Sequence, residues 1–276
     1  MRPVGGMIAA VCCTALLGMG GAAMAQTAKP ATTPAAKPAA APAATPAQVI
    51  PPEVKAQLDR MGNALRALTA FTVKSDVTTE DVLENNQKLQ TSAQITMDVR
   101  RPNRMLISVD SLRKQRKIYY DGKQLTIYGP KNGYYGTVDA PGTIGEVIKV
   151  AQERYGLDTP LADLFEWGTP AFQVSRIKGA LSVGPDRING KECEQFAFRQ
   201  DGADWQLWID KGESALPCKL VIINTDDEAQ PQTSAVFDWS TNMQLTDAQF
   251  TFAPPAEAKR IVVGQVPVAA TPGATK

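Results

Sequence analysis

The sequence predicts an α+β fold: an antiparallel sheet of about ten strands, preceded by one helix and interrupted by two more. Three observations carry this reading. Apolar residues recur at helical spacing between residues 54 and 68. The apolar period then falls to two, in short segments parted by turn residues, almost to the end of the chain. One stretch, 143–168, returns to helical spacing between two sets of such segments.

The first helix opens on Pro51-Pro52. Val54, Leu58, Met61, Leu65 and Leu68 follow at spacings of 4, 3, 4 and 3. These side chains form one stripe that must pack on something, because an isolated helix of this length is marginal in water. Strands follow. Phe71, Val73 and Val77 alternate with polar residues, as do Ile95, Met97 and Val99, then Met105, Ile107 and Val109. Residues 118–128 read as a hairpin turning at Asp121-Gly122, and Lys131-Asn132-Gly133 marks the next turn. In the insert, Thr143 and Glu146 have the spacing of a capping box. Ile144, Val147, Ile148, Ala151 and Tyr155 line one face, and Gly156 ends the helix. Thr159-Pro160 is expected to start a shorter helix, with Leu161, Leu164, Phe165 and Trp167 as its apolar side and Gly168 as its stop. Strand candidates resume at 173–183, 193–200, 205–210, 220–223 and 236–240, joined by the short connections of an antiparallel meander.

The ends of the chain have other compositions. Residues 1–25 read as a secretory signal: Arg2, an apolar stretch from Met7 to Leu17, and Ala23-Met24-Ala25 as a small-x-small cleavage site. The stretch is shorter than the ~20 residues a membrane span needs, and no later segment is long and apolar enough to cross a bilayer. An exported protein, periplasmic and soluble after cleavage near Ala25, is expected. Residues 26–52 form an Ala/Pro-rich disordered tether, with Pro30, Pro34, Pro38, Pro42 and Pro46 at a period of four. At about 3.1 Å per residue its Ala/Pro/Thr/Lys run, 27–48, reaches roughly 70 Å when extended. The folded domain is expected over 53–260, followed by a flexible tail over 261–276.

Composition excludes several functions. The chain of 276 residues has no histidine, which removes Ser-His-Asp and Cys-His nucleophile systems and histidine metal sites. All 28 acidic residues lie inside 53–260, against 25 of the 29 basic ones, so the domain carries a net charge of −3. A slightly acidic exported domain is not expected to bind nucleic acid. Asp226-Asp227-Glu228 lacks the alternate spacing and central glycine of a calcium loop and reads as a turn. No glycine-rich phosphate loop is present, and no cofactor or metal site is expected. Arg100, Arg101, Arg104, Arg113, Lys114, Arg116 and Lys117 form a basic stretch. It reads as the solvated face of antiparallel strands, or as a contact for an anionic lipid head group or acidic partner.

Cys193 and Cys218 are the only cysteines of the mature chain, and in an oxidising compartment a pair suggests a disulfide. A flat meander opposes this. Two strand spacings are about 9.6 Å, beyond the ~7 Å limit for bridged Cα atoms, so a bulge, a strong curl or an early end of the middle strand is required. Two isolated thiols are the other reading.

Five stretches carry a family resemblance: 100–104 (Arg-Arg-Pro-Asn-Arg), 119–123 (Tyr-Tyr-Asp-Gly-Lys), 160–165 (Pro-Leu-Ala-Asp-Leu-Phe), 198–200 with 205–208, and 216–221 (Leu-Pro-Cys-Lys-Leu-Val). With the order of elements, they resemble a family of predicted periplasmic proteins with a domain of unknown function. That family is similar in turn to the lipoprotein carriers LolA and LolB. The resemblance covers most of 53–255 and transfers no particular residue. It implies a strongly curved antiparallel half-barrel, covered by the N-terminal helix and the two-helix insert, with an apolar space between them that holds acyl chains. Ile95, Met97, Val99, Ile107, Ile118, Leu125 and Ile127 would then line the pocket. Ile144, Val147, Ile148, Leu161, Leu164, Phe165 and Trp167 would form a lid. Three readings stay open: a non-enzymatic carrier of a lipid or lipoprotein acyl chain, an envelope protein-interaction or stress-sensing module with a filled core, and, more remotely, a hydrolase using only carboxylates.

Overall fold

The structure is a computed structural model that describes residues 50–140 and 142–265. The expected signal sequence, the tether before Ile50 and the tail beyond residue 265 lie outside the described residues.

The first helix, α1 (Pro52–Ala67), carries proline in its first turn, where the missing N–H costs nothing. Val54, Leu58, Met61 and Leu65 are buried, as the stripe predicts, and Gly62 joins them. Leu68 takes an extended backbone and ends the helix. Next, β1 (Ala70–Val82) and β2 (Lys88–Arg100) pair along their full length, Ala70 opposite Arg100 and Val82 opposite Lys88. The alternation in β2 is legible only from Ile95 onward. Its first seven residues are exposed or half-exposed on both faces, so they carry no apolar period.

A meander continues through β3 (Arg104–Asp110), β4 (Gln115–Tyr120), β5 (Gln124–Gly129) and β6 (Tyr134–Asp139). The insert then supplies α2 (Ile144–Tyr155) and α3 (Asp163–Glu166). A second meander follows: β7 (Gly179–Ile188), β8 (Lys191–Gln200), β9 (Ala203–Asp210), β10 (Pro217–Asn224) and β11 (Gln232–Thr241). The short helix α4 (Asp247–Phe250) and the two-residue β12 (Lys259–Arg260) are the last elements of the described residues.

All twelve strands form one open, curved sheet, in the order β12-β6-β5-β4-β3-β2-β1-β11-β10-β9-β8-β7. β12 runs parallel to β6; every other pairing is antiparallel. The order dictates where the insert goes. Before β12 is added, β6 and β7 are the two outermost strands, and the chain between them must cross the whole sheet. It crosses the inner face, where α1, α2 and α3 cover an apolar layer that includes Val73, Met97, Ile107, Leu207 and Phe237. Residues 242–258 cross on the other face. There Phe252 packs among Tyr119, Tyr128 and Tyr135, with ring centroids 5.0–5.3 Å apart. Asp247 pairs with Arg100 and Arg104 on the same face.

Three expectations need correction. The strand expected over 173–183 begins only at Gly179. Val174–Arg176 form a 3₁₀ turn, and Leu181 and Val183 are exposed on the edge strand β7, so the apolar residues there mark no inward face. The second insert helix is one turn rather than two, because Leu161 takes a left-handed backbone with φ 59° and blocks a start at Pro160. The described residues hold twelve strands rather than about ten, β12 being too short to show a period.

Cys193 and Cys218 are bridged, with Cα atoms 6.7 Å apart. One of the devices that a flat meander lacks is present: register shifts between Pro217 and Lys219, leaving Cys218 bulged out of the ladder, while β9 runs to Asp210, the position opposite Cys193. The bridge lies on the outer face. Leu207 and Ile209 belong to the inner layer, whereas Trp208 packs with both cysteines and Val221 in a second, smaller cluster.

Candidate functional site

The insert is the element that an acyl-binding reading turns on. The helix α2 is fixed at both ends. The Thr143 backbone N–H donates to Glu146 Oε2 at 2.7 Å, the Thr143 hydroxyl accepts from the Glu146 N–H, and Gly156 closes the C-terminus at φ 60°. The Thr143 N–H and hydroxyl, both donating to Glu146 Oε2, hold that carboxyl below the usual carboxylate range. Ile144, Val147, Ile148 and Ala151 face inward and are buried.

Beyond α2 the covering segment is held differently. The backbone hydrogen bonds donated within residues 161–177 close locally: Leu164 to Leu161, Phe165 to Ala162, Trp167 to Asp163, Thr169 to Glu166, Phe172 to Thr169, Arg176 to Gln173 and Ile177 to Val174. None of these reaches the sheet; the ladder is rejoined at Lys178, whose N–H donates to Arg199. The segment therefore rests on the sheet through side chains. Leu164, Phe165 and Trp167 are buried in the main apolar layer. Arg101 braces it from below. Its guanidinium donates to the carbonyls of Leu68 and Leu65 at the end of α1 and stands 5.4 Å from the centre of the Phe165 ring. Burial lowers the Arg101 pKa. Gly62 and Gly168 touch where α1 meets the segment; a Cβ on Gly62 would lie 2.6 Å from Gly168 Cα.

Three concavities surround this one segment. A groove of about 580 Å³ runs between α2 and the segment, walled by Ile144, Ile148 and Phe165, with Arg101 and Glu166 at its edge. A hollow of about 370 Å³ separates the segment from α1, walled by Leu58, Met61, Trp167 and Phe172. A third, of about 190 Å³, opens between the segment and β9–β10, walled by Trp167, Phe172, Trp205, Leu220 and Ile222. Trp205 stacks on Phe198 with centroids 3.9 Å apart and meets Phe172 edge-on at 6.3 Å. Asp163, Glu166 and Arg176 rim this last hollow. Desolvation raises the Asp163 carboxyl although the residue keeps an exposed rim position. Desolvation and the neighbouring Asp163 charge raise Glu166, while Arg176 lowers it.

The residues expected to line the pocket do come together. Ile95, Met97, Val99, Ile107, Ile118 and Leu125 meet Ile144, Val147, Ile148, Leu164, Phe165 and Trp167 in one buried layer, with Ile127 and Leu161 half-buried at its margin. The layer is packed: Met97, Val99 and Ile107 are 0% exposed. Of the fourteen, Ile144, Ile148, Phe165 and Trp167 wall the concavities around the segment, and Ile127 walls a further cleft at the β6 edge. Phe172, Trp205, Leu220 and Ile222 were not among them. Trp205 carries a signal, its alternation with Leu207 and Ile209; Phe172, isolated between turns, carries none.

Several solved structures are similar in outline. The lipoprotein LppX of Mycobacterium tuberculosis is 14% identical, with a TM-score of 0.45 over 71% of this chain and 99% of that one. In the Pseudomonas aeruginosa MucA/MucB complex the matching chain is 17% identical, with a TM-score of 0.43 over 76% of this chain and 63% of that one. A LolA superfamily protein from Nitrosomonas europaea is 10% identical, with a TM-score of 0.36 over 72% of this chain and 97% of that one. No curated protein matches the sequence. The family pattern is decisive where these distant likenesses are not. It matches residues 55–264, from the first turn of α1 to just beyond β12, and the chain belongs to the family of predicted periplasmic proteins DUF2092.

Proposed function

We propose that the protein binds an apolar ligand, an acyl chain of a lipid or lipoprotein, beneath the segment 161–177, with that segment as the gate. The observation that carries the reading is the absence of ladder hydrogen bonds from the segment together with the three hollows around it. A cover held by side chains alone can lift without breaking sheet structure, and lifting it joins the hollows into one apolar space. Aromatic walls at Trp167, Phe172 and Trp205 suit an alkyl chain. Burial at about 25 cal/mol per Å² of apolar surface supplies the driving force.

The test uses 11-bromo-1-undecanol, a neutral acyl chain whose bromine quenches tryptophan on contact. Saturable quenching that disappears in the Trp167→Phe, Trp205→Phe double variant is the expected result. Unsaturable quenching, or quenching unchanged in the double variant, contradicts it. The packed layer around Met97 and Ile107 favours a second reading, an envelope protein-interaction module with a filled core. Under that reading the alcohol produces no saturable signal.

A further inference from the structure

The basic stretch 100–117 is divided by the fold. Arg100 and Arg104 pair with Asp247 on the outer face, and Arg101 braces α1 and Phe165. Lys114 and Arg116 have a different setting. On β4 the inward residues are Ile118 and Tyr120, so by alternation Arg116 also points inward. It precedes Lys117, which pairs with Tyr128 at the end of the β4–β5 ladder nearest Gly129 and Tyr134. There it walls a cleft of about 350 Å³ whose apolar lining is Ile127, Leu157, Ile261 and Val263, with Lys114 at the same wall and Gln115, Asn132 and Tyr134 among the polar lining. The cleft is shaped by a close approach, since a Cβ on Gly136 would lie 2.5 Å from Val263 Cγ2.

The guanidinium is incompletely satisfied. One Nη donates to the Asp158 carbonyl at 3.3 Å, while Nε is buried with no hydrogen-bond partner. Among the described ion pairs, none includes Arg116 or Lys114. A buried donor without an acceptor is destabilising, and an anionic acceptor removes that cost. Two cations at one end of a cleft with four aliphatic side chains, beside Gln115, Asn132 and Tyr134, match a molecule that is apolar along its length and anionic at one end. We propose that the β6-edge cleft is a binding site for a single-chain anionic amphiphile, its head group taken by Arg116 and Lys114 and its chain by Ile127, Leu157, Ile261 and Val263. This site is separate from the hollows around the segment 161–177, and no tryptophan lines it.

Calorimetric titration of 11-bromoundecanoate, beside 11-bromo-1-undecanol, tests the proposal. The acid is expected to fill a site that the alcohol does not, with no tryptophan quenching from that site. Its Kd should rise at least tenfold in Arg116→Gln and stay within about threefold in Arg116→Lys, both variants keeping the wild-type near-ultraviolet circular dichroism. An isotherm unchanged in Arg116→Gln, or the same for acid and alcohol, overturns it. The gated acyl site fails on a separate signal, the quenching by the alcohol. 1-Decanoyl-lysophosphatidylglycerol, a single-chain phospholipid, identifies the source of the anion: binding with the same Arg116 dependence assigns a phospholipid head group, and binding of the acid alone assigns a free fatty acid.

Discussion

Gly168 is the residue at which the cover meets α1. Its backbone sits at φ 74°, and a Cβ there would lie 2.7 Å from Gly62 Cα. Gly168→Ala therefore meets both a left-handed backbone penalty, about 1–2 kcal/mol, and a clash with α1. A loss of about 2–3 kcal/mol in urea unfolding is expected, with the segment displaced from α1. Asp163 makes an opposite prediction. Its carboxyl is raised by desolvation, so the folded state disfavours its charge, and the penalty is fully present at neutral pH. The penalty shrinks as pH falls through the raised folded value and is gone below the unfolded value near 4. Asp163→Asn should stabilise the protein at pH 7, and the gain should vanish by about pH 3.5, as read from paired urea titrations. Asp247 behaves in the other sense. Hydrogen bonds from Arg100, then Arg104, lower its pKa, so its contribution is present at neutral pH and is lost as pH falls below the usual carboxylate range.

At the scale of elements, the disulfide and the covering segment mark the stiff and the soft parts of the molecule. The bridge between β8 and β10 closes a loop of 25 residues and, on the chain-entropy model, stabilises by about 3 kcal/mol. Replacing both cysteines by alanine should lower stability by about 2–4 kcal/mol without altering ligand uptake at the opposite face. The segment 161–177 should show the reverse. Its amides are bonded locally, so they should exchange hydrogen orders of magnitude faster than those of β1 and β2, and an acyl ligand should slow them. Uniform exchange rates across the segment and these strands would count against a gate. What the sequence reveals at this scale follows apolar periodicity. The stripe of α1, the capping box and closing glycine of α2, and the inner faces of β3 to β5 are legible because each buries one face. The outer half of β2 and the edge strand β7 are not, because solvent meets both of their faces. Leu161 reads as helical by its side chain and is not, because its backbone turns left-handed.

For the whole molecule, the crossing of the insert from β6 to β7 determines the arrangement. A meander interrupted in the middle can place its outermost strands at opposite edges only if the connection spans the sheet, and the helical period of residues 144–167 ensures that what spans it is apolar on one side. The sequence therefore contains both the cover and the layer beneath it, and the fourteen residues assigned to pocket and lid do meet. It does not contain the volume between them. Whether facing side chains interlock or leave space depends on sheet curvature and on residues such as Phe172 and Gly168, whose roles no period encodes. The central claim, that an apolar ligand occupies the space under the insert, is tested most directly by native mass spectrometry of the protein purified from the periplasm. The account predicts a discrete added mass of a lipid or acylated molecule, released by organic solvent and absent from Gly168→Ala. A spectrum holding only the mass of the polypeptide would contradict it.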